Sequence, residues 1–147
     1  MRSLGLDVGD KRTGVALSDP LGILASPLLV LKHTDEAADI ASILEIVKKY
    51  QVDYIIVGMP QSMDGTLGAQ AEKVRSFTEK LKPQSPVPVE YRDERLTTAT
   101  AMRLMQEAGS KKSLKNKKGE YDAAAAAIIL QSFLNEARPL EYPPEER

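Results

Sequence analysis

Residues 4–14 read LGLDVGDKRTG, and this stretch decides both the fold and the site. Apolar residues alternate with glycine or aspartate along residues 4–9, which is the two-residue period of a strand. Asp7 is the one large side chain on its face of that strand, with a glycine two residues away on either side. A carboxylate inside an apolar strand needs a partner for its charge, and a metal cation is one such partner. The alternative is that Asp7 caps the following turn through the two basic residues of that turn.

The 147 residues are enough for one domain with its own core, which we place at residues 1–138, followed by a flexible tail at 139–147. Cysteine is absent, which excludes disulfides and thiolate metal sites. No stretch approaches the roughly 20 apolar residues of a membrane helix, so we expect no contact with a membrane. The net charge of -1 argues against an extended basic surface, so any site for a polyanion must be local. His33 is the single histidine, which excludes multi-histidine metal sites, and we expect it to be a loop residue.

The hydrophobic pattern predicts three antiparallel strands followed by alternating helices and strands. Strands are expected near residues 4–8, 14–18, 23–31, 54–58 and 87–91, and helices from Thr34, from Thr66, from Thr97 or Thr98, and from about Gly119. Pro27 cannot donate to a sheet ladder, so the third strand belongs at an edge. Strands joined in this way predict an α/β fold, a five-stranded mixed sheet in the order 3-2-1-4-5 with helices on both faces.

Three carboxylates can meet at the carboxyl edge of this sheet, where ligands of open α/β sheets bind. Asp7 lies near the end of strand 1, and Glu94 follows strand 5 beside Asp93, a weaker fourth candidate. Asp122 precedes the five alanines Ala123–Ala127, which would let a helix approach the glycines of strand 1 closely. Each has a structural alternative, since Glu94 could pair with a neighbouring arginine and Asp122 could stabilise a helix N-terminus.

An oxygen-rich site of this kind, without histidine or cysteine, suits Mg²⁺ or Mn²⁺ rather than zinc. Two such ions can clamp the attacking and leaving oxygens of a phosphodiester, and basic side chains would hold the phosphate backbone. The expected nucleic-acid-binding residues are Lys11, Arg12, Arg92, Arg95, Lys111, Lys112, Lys115, Lys117 and Lys118. Lysine runs are also commonly solvated loops, so the alternative for the last five is simple exposure. No side chain stands out as a general base, so water is the expected nucleophile.

Four blocks of the sequence resemble the YqgF (RuvX) family. They are Asp7-Val8-Gly9 with Arg12 and Gly14; Gly58-Met59-Pro60 with Met63-Asp64-Gly65; Asp93-Glu94-Arg95-Leu96-Thr97-Thr98; and Asp122-Ala123-Ala124 with Ile128-Ile129-Leu130. The likeness spans residues 2–135 in the expected order. It implies a ribonuclease-H-like fold similar to Holliday junction resolvases, with Asp7, Glu94 and Asp122 as catalytic metal ligands. It also implies a cytoplasmic nuclease that processes the 5′ end of pre-16S ribosomal RNA during ribosome biogenesis.

The sequence therefore predicts a metal-dependent endonuclease that acts on structured nucleic acid as a monomer or weak homodimer. Resolvases of this fold commonly bring four acidic groups together, and three are placed here, so pre-rRNA is favoured over branched DNA as the substrate. Two other readings remain. An ATPase of the actin and sugar-kinase type also begins with Asp-x-Gly, although it needs two such domains. A non-catalytic nucleic-acid-binding regulator could keep the same fold.

Overall fold

The computed structural model describes residues 1–60, 68–93 and 123–136. In these ranges five strands and three α-helices are found. The strands are β1 (Ser3–Val8), β2 (Arg12–Ser18), β3 (Ala25–Lys32), β4 (Tyr54–Met59) and β5 (Val89–Asp93). The helices are α1 (Glu36–Lys49), α2 (Ala69–Leu81) and α3 (residues 123–136), and a short 3-10 turn follows α2 at Lys82–Gln84. Among the described helices, none combines the length and the apolar character needed to cross a membrane.

The five strands form one mixed sheet in the order β3-β2-β1-β4-β5, which confirms the predicted order. β1 is antiparallel to β2, and β2 to β3, whereas β1, β4 and β5 run parallel. Every residue of β1 is buried, as expected for the central strand. β3 lies at the edge predicted from Pro27, and its pairing with β2 shifts register between Val15 and Ala16. The carboxyl ends of β1, β4 and β5 therefore share one edge of the sheet.

Two hydrophobic clusters cover the two faces of the sheet. On one face, Leu4, Leu6 and Val8 pack with buried residues of α1 and α2. On the other face, Ala16 and Ile56 pack with buried residues of α3. Alternation along β1 places Gly5 and Asp7 on the α3 face. The prediction of helices on both faces is confirmed. Among the described helices, only α3 lies on the same face of the sheet as Asp7.

Several predicted boundaries are wrong by one or two residues. β2 begins at Arg12 rather than Gly14, and β3 begins at Ala25 rather than Ile23. α1 begins after Asp35 rather than Thr34, because the Asp35 carboxylate accepts the N–H of Ala38 at 2.8 Å. α2 has Gly68 rather than Thr66 at its N-cap. β5 runs to Asp93, past the predicted end, because its ladder with β4 continues there. The helix predicted from Thr97 or Thr98 and the tail at 139–147 lie outside the described residues.

Candidate metal and nucleic-acid site

Asp7 lies between two glycines in its row of the sheet. Its direct partner on β2 is Gly14. On the other side, β1 pairs Leu6 with Val57, so the parallel register places Gly58 next to Asp7. The Asp7 residue is only 7% exposed. A carboxylate is thus presented between two glycines, which leave room beside it that larger side chains would fill.

α3 reaches this face through the other glycine of the opening stretch. A Cβ atom added to Gly5 would lie 2.9 Å from the Cβ of Leu130 and 3.0 Å from the carbonyl oxygen of Ala126. Real Cβ contacts are essentially never that short, so glycine is required for the helix to lie at this distance. The expectation that the alanine-rich helix packs across strand 1 is confirmed for Ala126. This packing directs α3 across the face that carries Asp7.

Arg92 occupies the same row, one strand beyond Gly58, and is directed at α3. It pairs with Gly58 in the β4–β5 register. One terminal nitrogen, Nη1, donates to Glu136 Oε1 at 2.7 Å. The other, Nη2, donates to Ser132 Oγ at 2.8 Å and also contacts the second carboxylate oxygen of Glu136. Hydrogen bonding to Glu136 raises the pKa of Arg92, and the same contact lowers the pKa of Glu136.

The backbone that follows Asp7 is held by side chains from the opposite face. The Gln70 amide of α2 donates to the carbonyl oxygen of Val8 at 2.9 Å. His33 Nε2 lies 2.9 Å from the carbonyl oxygen of Gly9, and His33 Nδ1 lies 2.8 Å from a carboxylate oxygen of Asp39. His33 is a loop residue as predicted, but its role in holding this turn was missed. Its partner Gly9 is 24 residues away in the chain, and no local pattern indicates such a contact.

The described residues contain one of the three predicted carboxylates. Asp7 is placed as expected near the carboxyl end of β1. Glu94 and Asp122 lie outside the described residues, each directly next to a described residue, Asp93 and Ala123. Within residues 1–60, 68–93 and 123–136, no three acidic, histidine or cysteine side chains form a metal-binding group. Convergence of all three carboxylates therefore stays a prediction.

Asp93 and Asp19 are placed away from Asp7. Asp93 pairs with Met59, whose side chain belongs to the cluster under α1 and α2, so alternation places Asp93 on that face. Asp19 follows the far end of β2 and binds its own loop, accepting the N–H groups of Ile23 and Leu24 at 2.7 Å each. These backbone bonds, the one from Leu24 above all, lower the pKa of Asp19. Neither carboxylate faces Asp7 in the described structure.

The predicted basic residues divide into three groups. Lys11 and Arg12 lie in the β1–β2 turn and the start of β2, at the same end of the sheet as Asp7. Alternation along β2 puts Arg12 on the face of Gly14 and Asp7. Arg92 is placed as described above, with its terminal nitrogens bound to α3. The others lie outside the described residues: Arg95, Lys111, Lys112, Lys115, Lys117 and Lys118.

The described part of the site fits a hard divalent cation. Asp7 supplies an oxygen donor, and oxygen donors are the ligands that Mg²⁺ and Mn²⁺ prefer. Its strand neighbours on β2 and β4 are glycines, which carry no side chains to compete with an ion or with further ligands at this position. The one histidine of the chain is bound to Gly9 and Asp39 near the opposite face, so the donor set does not resemble a zinc site.

Comparison with known proteins gives consistent matches over nearly the whole chain. A family model described as "RuvX: Holliday junction resolvase" matches residues 1–136. A protein of Clostridium acetobutylicum named "Putative pre-16S rRNA nuclease" is 48% identical over 135 residues, covering 92% of this chain and 98% of its own. A protein of the same name from Dehalococcoides mccartyi is 45% identical over 137 residues, covering 93% and 100%.

Solved structures with the same fold include two resolvases. Thermus thermophilus RuvC bound to a Holliday junction substrate has a TM-score of 0.56 at 18% identity, covering 94% of this chain and 96% of its own. The Fowlpox virus resolvase bound to Holliday junction DNA has a TM-score of 0.55 at 15% identity, covering 93% and 99%. At these identities the likeness establishes the fold alone, and it confirms the predicted ribonuclease-H-like class.

Proposed function

The chain belongs to the RuvX Holliday junction resolvase family, and we propose that it is a metal-dependent nuclease that cleaves structured nucleic acid. The favoured substrate is precursor 16S ribosomal RNA, for which its relatives are named, and we place the cleavage in its 5′ region. The single observation that carries the proposal is Asp7, a buried carboxylate presented between two glycines at the carboxyl edge of a resolvase-like sheet. A cytoplasmic location follows from that substrate.

Glu94 and Asp122 complete the proposed site. Asp93 is the last residue of β5, and Arg92 before it shares the row of Asp7. If the extended backbone continued for one residue, Glu94 would fall on the face of Arg92 and Asp7. Asp122 is bonded to Ala123 at the described start of α3, the helix that packs on Gly5. The neighbours of both acids thus support a site shared with Asp7.

Each part of the site has a distinct proposed task. Asp7, Glu94 and Asp122 would hold Mg²⁺ or Mn²⁺, which supplies Lewis-acid polarisation of the scissile phosphate and of the attacking water. Lys11 and Arg12 lie at the same end of the sheet and bind the phosphate backbone by charge. The predicted basic residues Arg95, Lys111, Lys112, Lys115, Lys117 and Lys118 extend that contact. Gln70 and His33 hold the backbone after Asp7, which keeps the carboxylate oriented.

The test is cleavage of a 5′-extended 16S precursor RNA by the purified protein with Mg²⁺ or Mn²⁺. Asp7→Asn keeps the size of the side chain and removes the charge, so we expect the cleavage rate to fall at least about 100-fold, a free-energy loss near 2.7 kcal/mol. Binding of the uncleaved RNA, measured by filter retention without metal, should change little.

Asp10→Asn is the matched control. It removes the same charge three residues away, at a side chain that is 63% exposed and pairs with Lys73 on α2. We expect wild-type cleavage from this variant. Equal cleavage by wild type and Asp7→Asn would reject the proposal, and RNA binding without cleavage by any form would favour the regulator.

Branched DNA is the second candidate substrate because the family is described as a Holliday junction resolvase family. A four-way DNA junction tested beside the RNA, at equal concentration and equal salt, decides between them. Preference for the junction would keep the metal chemistry and change the substrate.

A further inference from the structure

We propose that Arg92 is a positioning residue that clamps α3 to β5 and so sets where Ala123, at the described start of α3, lies relative to Asp93 at the end of β5. Glu94 and Asp122, the proposed metal ligands, are the next residues in the chain after Asp93 and before Ala123. The inference rests on the proposed function, since it concerns the geometry of that same site. It assigns to Arg92 a role other than the phosphate contact expected from its charge.

The Arg92 side chain is mostly buried between β5 and α3, and it bonds to α3. Its side chain is 17% exposed, although it belongs to the edge strand β5. Both terminal nitrogens are bound to α3, through Glu136 and Ser132. A guanidinium bound by both terminal nitrogens to a carboxylate is a fixed, two-point contact, which a lysine cannot reproduce. Both partners are on α3, so Arg92 fixes the helix to the strand rather than a loop to its neighbour.

Because this contact lies near the end of α3, a shift there would tilt the helix and move its other end. Ala126 and Leu130 contact Gly5, and this contact is the point about which the helix would tilt. Along the helix axis, Glu136 lies about 12 Å from this contact in one direction, and Ala123 lies about 8 Å from it in the other. If the Glu136 end swings by 1 Å, the Ala123 end moves by roughly 0.6 Å in the opposite direction. Ala123 is the described residue next to the proposed ligand Asp122 in the chain.

A second contact shows that the helix is fixed on both sides. Gln131 Nε2 donates to the carbonyl oxygen of Ile23 at 2.9 Å, and the N–H of Ala25 donates to Gln131 Oε1 at 2.8 Å. This contact ties α3 to β3 at one edge of the sheet, and Arg92 ties it to β5 at the other edge. With Gly5 between them, the orientation of α3 is determined at three points.

Two single variants separate the clamp from a phosphate contact. Arg92→Gln removes the cation, and Glu136→Gln removes its partner, a carboxylate that is 66% exposed on the helix. If Arg92 acts through Glu136, both variants lower kcat on the order of tenfold with KM changed by less than about twofold. The double variant should be no worse than either single one, because the same interaction is lost.

A phosphate contact gives the opposite pattern. Arg92→Gln would then raise KM and reduce the salt dependence of RNA binding, whereas Glu136→Gln, which removes a repelling charge, would leave RNA binding unchanged or tighter. Arg92→Lys adds a further contrast, since a lysine keeps the charge but loses the two-point geometry. The clamp predicts loss of kcat in this variant too.

Binding of Mn²⁺ alone, measured calorimetrically on the metal-free protein, gives a readout independent of cleavage. We expect Glu136→Gln to weaken Mn²⁺ binding several-fold. The control is Glu36→Gln, which breaks the 2.6 Å ion pair of Glu36 with Lys80 between α1 and α2, on the other face. That variant should keep the kcat and the Mn²⁺ affinity of the wild type.

The outcomes for the clamp and for the nuclease are distinct. Wild-type kcat and Mn²⁺ affinity in Glu136→Gln would overturn the clamp and leave the nuclease in place. A second outcome is that the wild type cleaves nothing while Glu136→Gln binds Mn²⁺ more weakly than the wild type does. That outcome would support the clamp and reject the nuclease. A wild type that binds no Mn²⁺ would overturn both.

Discussion

A methyl group added at Gly5 would lie 2.9 Å from the Cβ of Leu130 and 3.0 Å from the carbonyl oxygen of Ala126. Neither atom is the end of a flexible side chain, so α3 or β1 must shift to accept it. We expect Gly5→Ala to lower the free energy of unfolding by about 1–3 kcal/mol, the usual cost of overpacking a well-packed core. Urea denaturation measures this loss, and cleavage should fall with it because α3 moves.

Gly68→Ala is the control for that variant. Apart from its chain neighbours, no atom of the described residues lies within 4 Å of a Cβ added there, and its φ of -87° suits any residue. We expect a change below about 1 kcal/mol and normal cleavage. A loss at Gly5 no larger than the loss at Gly68 would contradict the close packing of α3.

Tyr54 provides a pH-dependent test of the same face. It stacks on Phe133 of α3 with ring centroids 5.6 Å apart. Hydrogen bonding to Glu90, with burial as the second cause, raises the pKa of Tyr54 from 10.0 to about 12. The folded chain therefore keeps a proton that the unfolded chain loses. The stability from this group is present below pH 10 and is lost as the pH rises towards 12.

Ultraviolet absorbance at alkaline pH measures the ionisation of tyrosines directly. We expect a component near pH 12 in the wild type that is missing in Tyr54→Phe. Stability measured by urea should decline between pH 10 and 12 more steeply in the wild type than in this variant. If the component that Tyr54→Phe removes lay near pH 10 instead, Tyr54 would not bond to Glu90 in solution.

For single residues, the sequence predicted those features that a local pattern determines. Alternation identified Asp7 and its face, and the alanine run suggested close packing on Gly5. The contacts of Gln70 and of Arg92 were not predicted, because their partners lie 62 and 44 residues away in the chain. Such pairs depend on how whole elements are placed, and several donors could have reached the same acceptor.

The start of α1 gives a test at the scale of the element. Asp35 caps the helix, and its carboxylate accepts the N–H of Ala38 at 2.8 Å. We expect Asp35→Ala to lower the free energy of unfolding by about 0.5–2 kcal/mol. α1 packs on the face opposite Asp7, so cleavage at temperatures well below unfolding should stay normal.

Thr34→Ala is the informative comparison for this cap. Thr34 was the predicted N-cap, yet its side chain makes no capping bond, and Asp35 takes that position. The Thr34 variant should lose only a few tenths of a kcal/mol. A larger loss from Thr34→Ala than from Asp35→Ala would restore the original prediction.

Elements were predicted better than their ends. Periodicity identified α1, the part of α2 that contains Ala71, Val74, Phe77 and Leu81, and the buried strand β4, all of which are confirmed. Boundaries depend on single capping bonds and on how far a ladder continues. Two neighbouring residues such as Thr34 and Asp35 are both good caps, and only the path of the chain selects one.

At the scale of the molecule, the strand order followed from connectivity alone. A meander of three strands followed by right-handed crossovers leaves few arrangements, and 3-2-1-4-5 is the one observed. The meeting of Asp7, Glu94 and Asp122 is less determined, because it also requires the chain at residues 94–122 to bring two acids together. Strand order fixes which edges of the sheet are near each other, and it does not fix the path of a connection of that length.

The two faces of the sheet should open separately. Counted over the described residues, the cluster under α1 and α2 includes residues of β1, β2 and β4 and of both helices, whereas the α3 cluster is smaller and rich in alanine. Less buried apolar area means a lower free energy of local opening. We therefore expect amides of α3 to exchange hydrogen faster than those of β1, β4 and α1. Equal protection of α3 and α1 would show that the molecule opens as one unit.

Metal binding should reduce the difference in hydrogen-exchange rate between α3 and α1 if α3 carries part of the site. A ligand that binds only the closed state stabilises it by about 2.7 kcal/mol at 100 times its Kd, so opening becomes about 100-fold rarer. We expect Mn²⁺ to slow exchange in α3 and at the end of β1 by up to this factor, and to leave α1 nearly unchanged. Asp7→Asn should abolish the slowing, since it removes the one proposed ligand that lies in the described part of the chain. Slowing in α3 that persists in Asp7→Asn would place the metal elsewhere, and slowing in α1 alone would place it on the opposite face of the sheet.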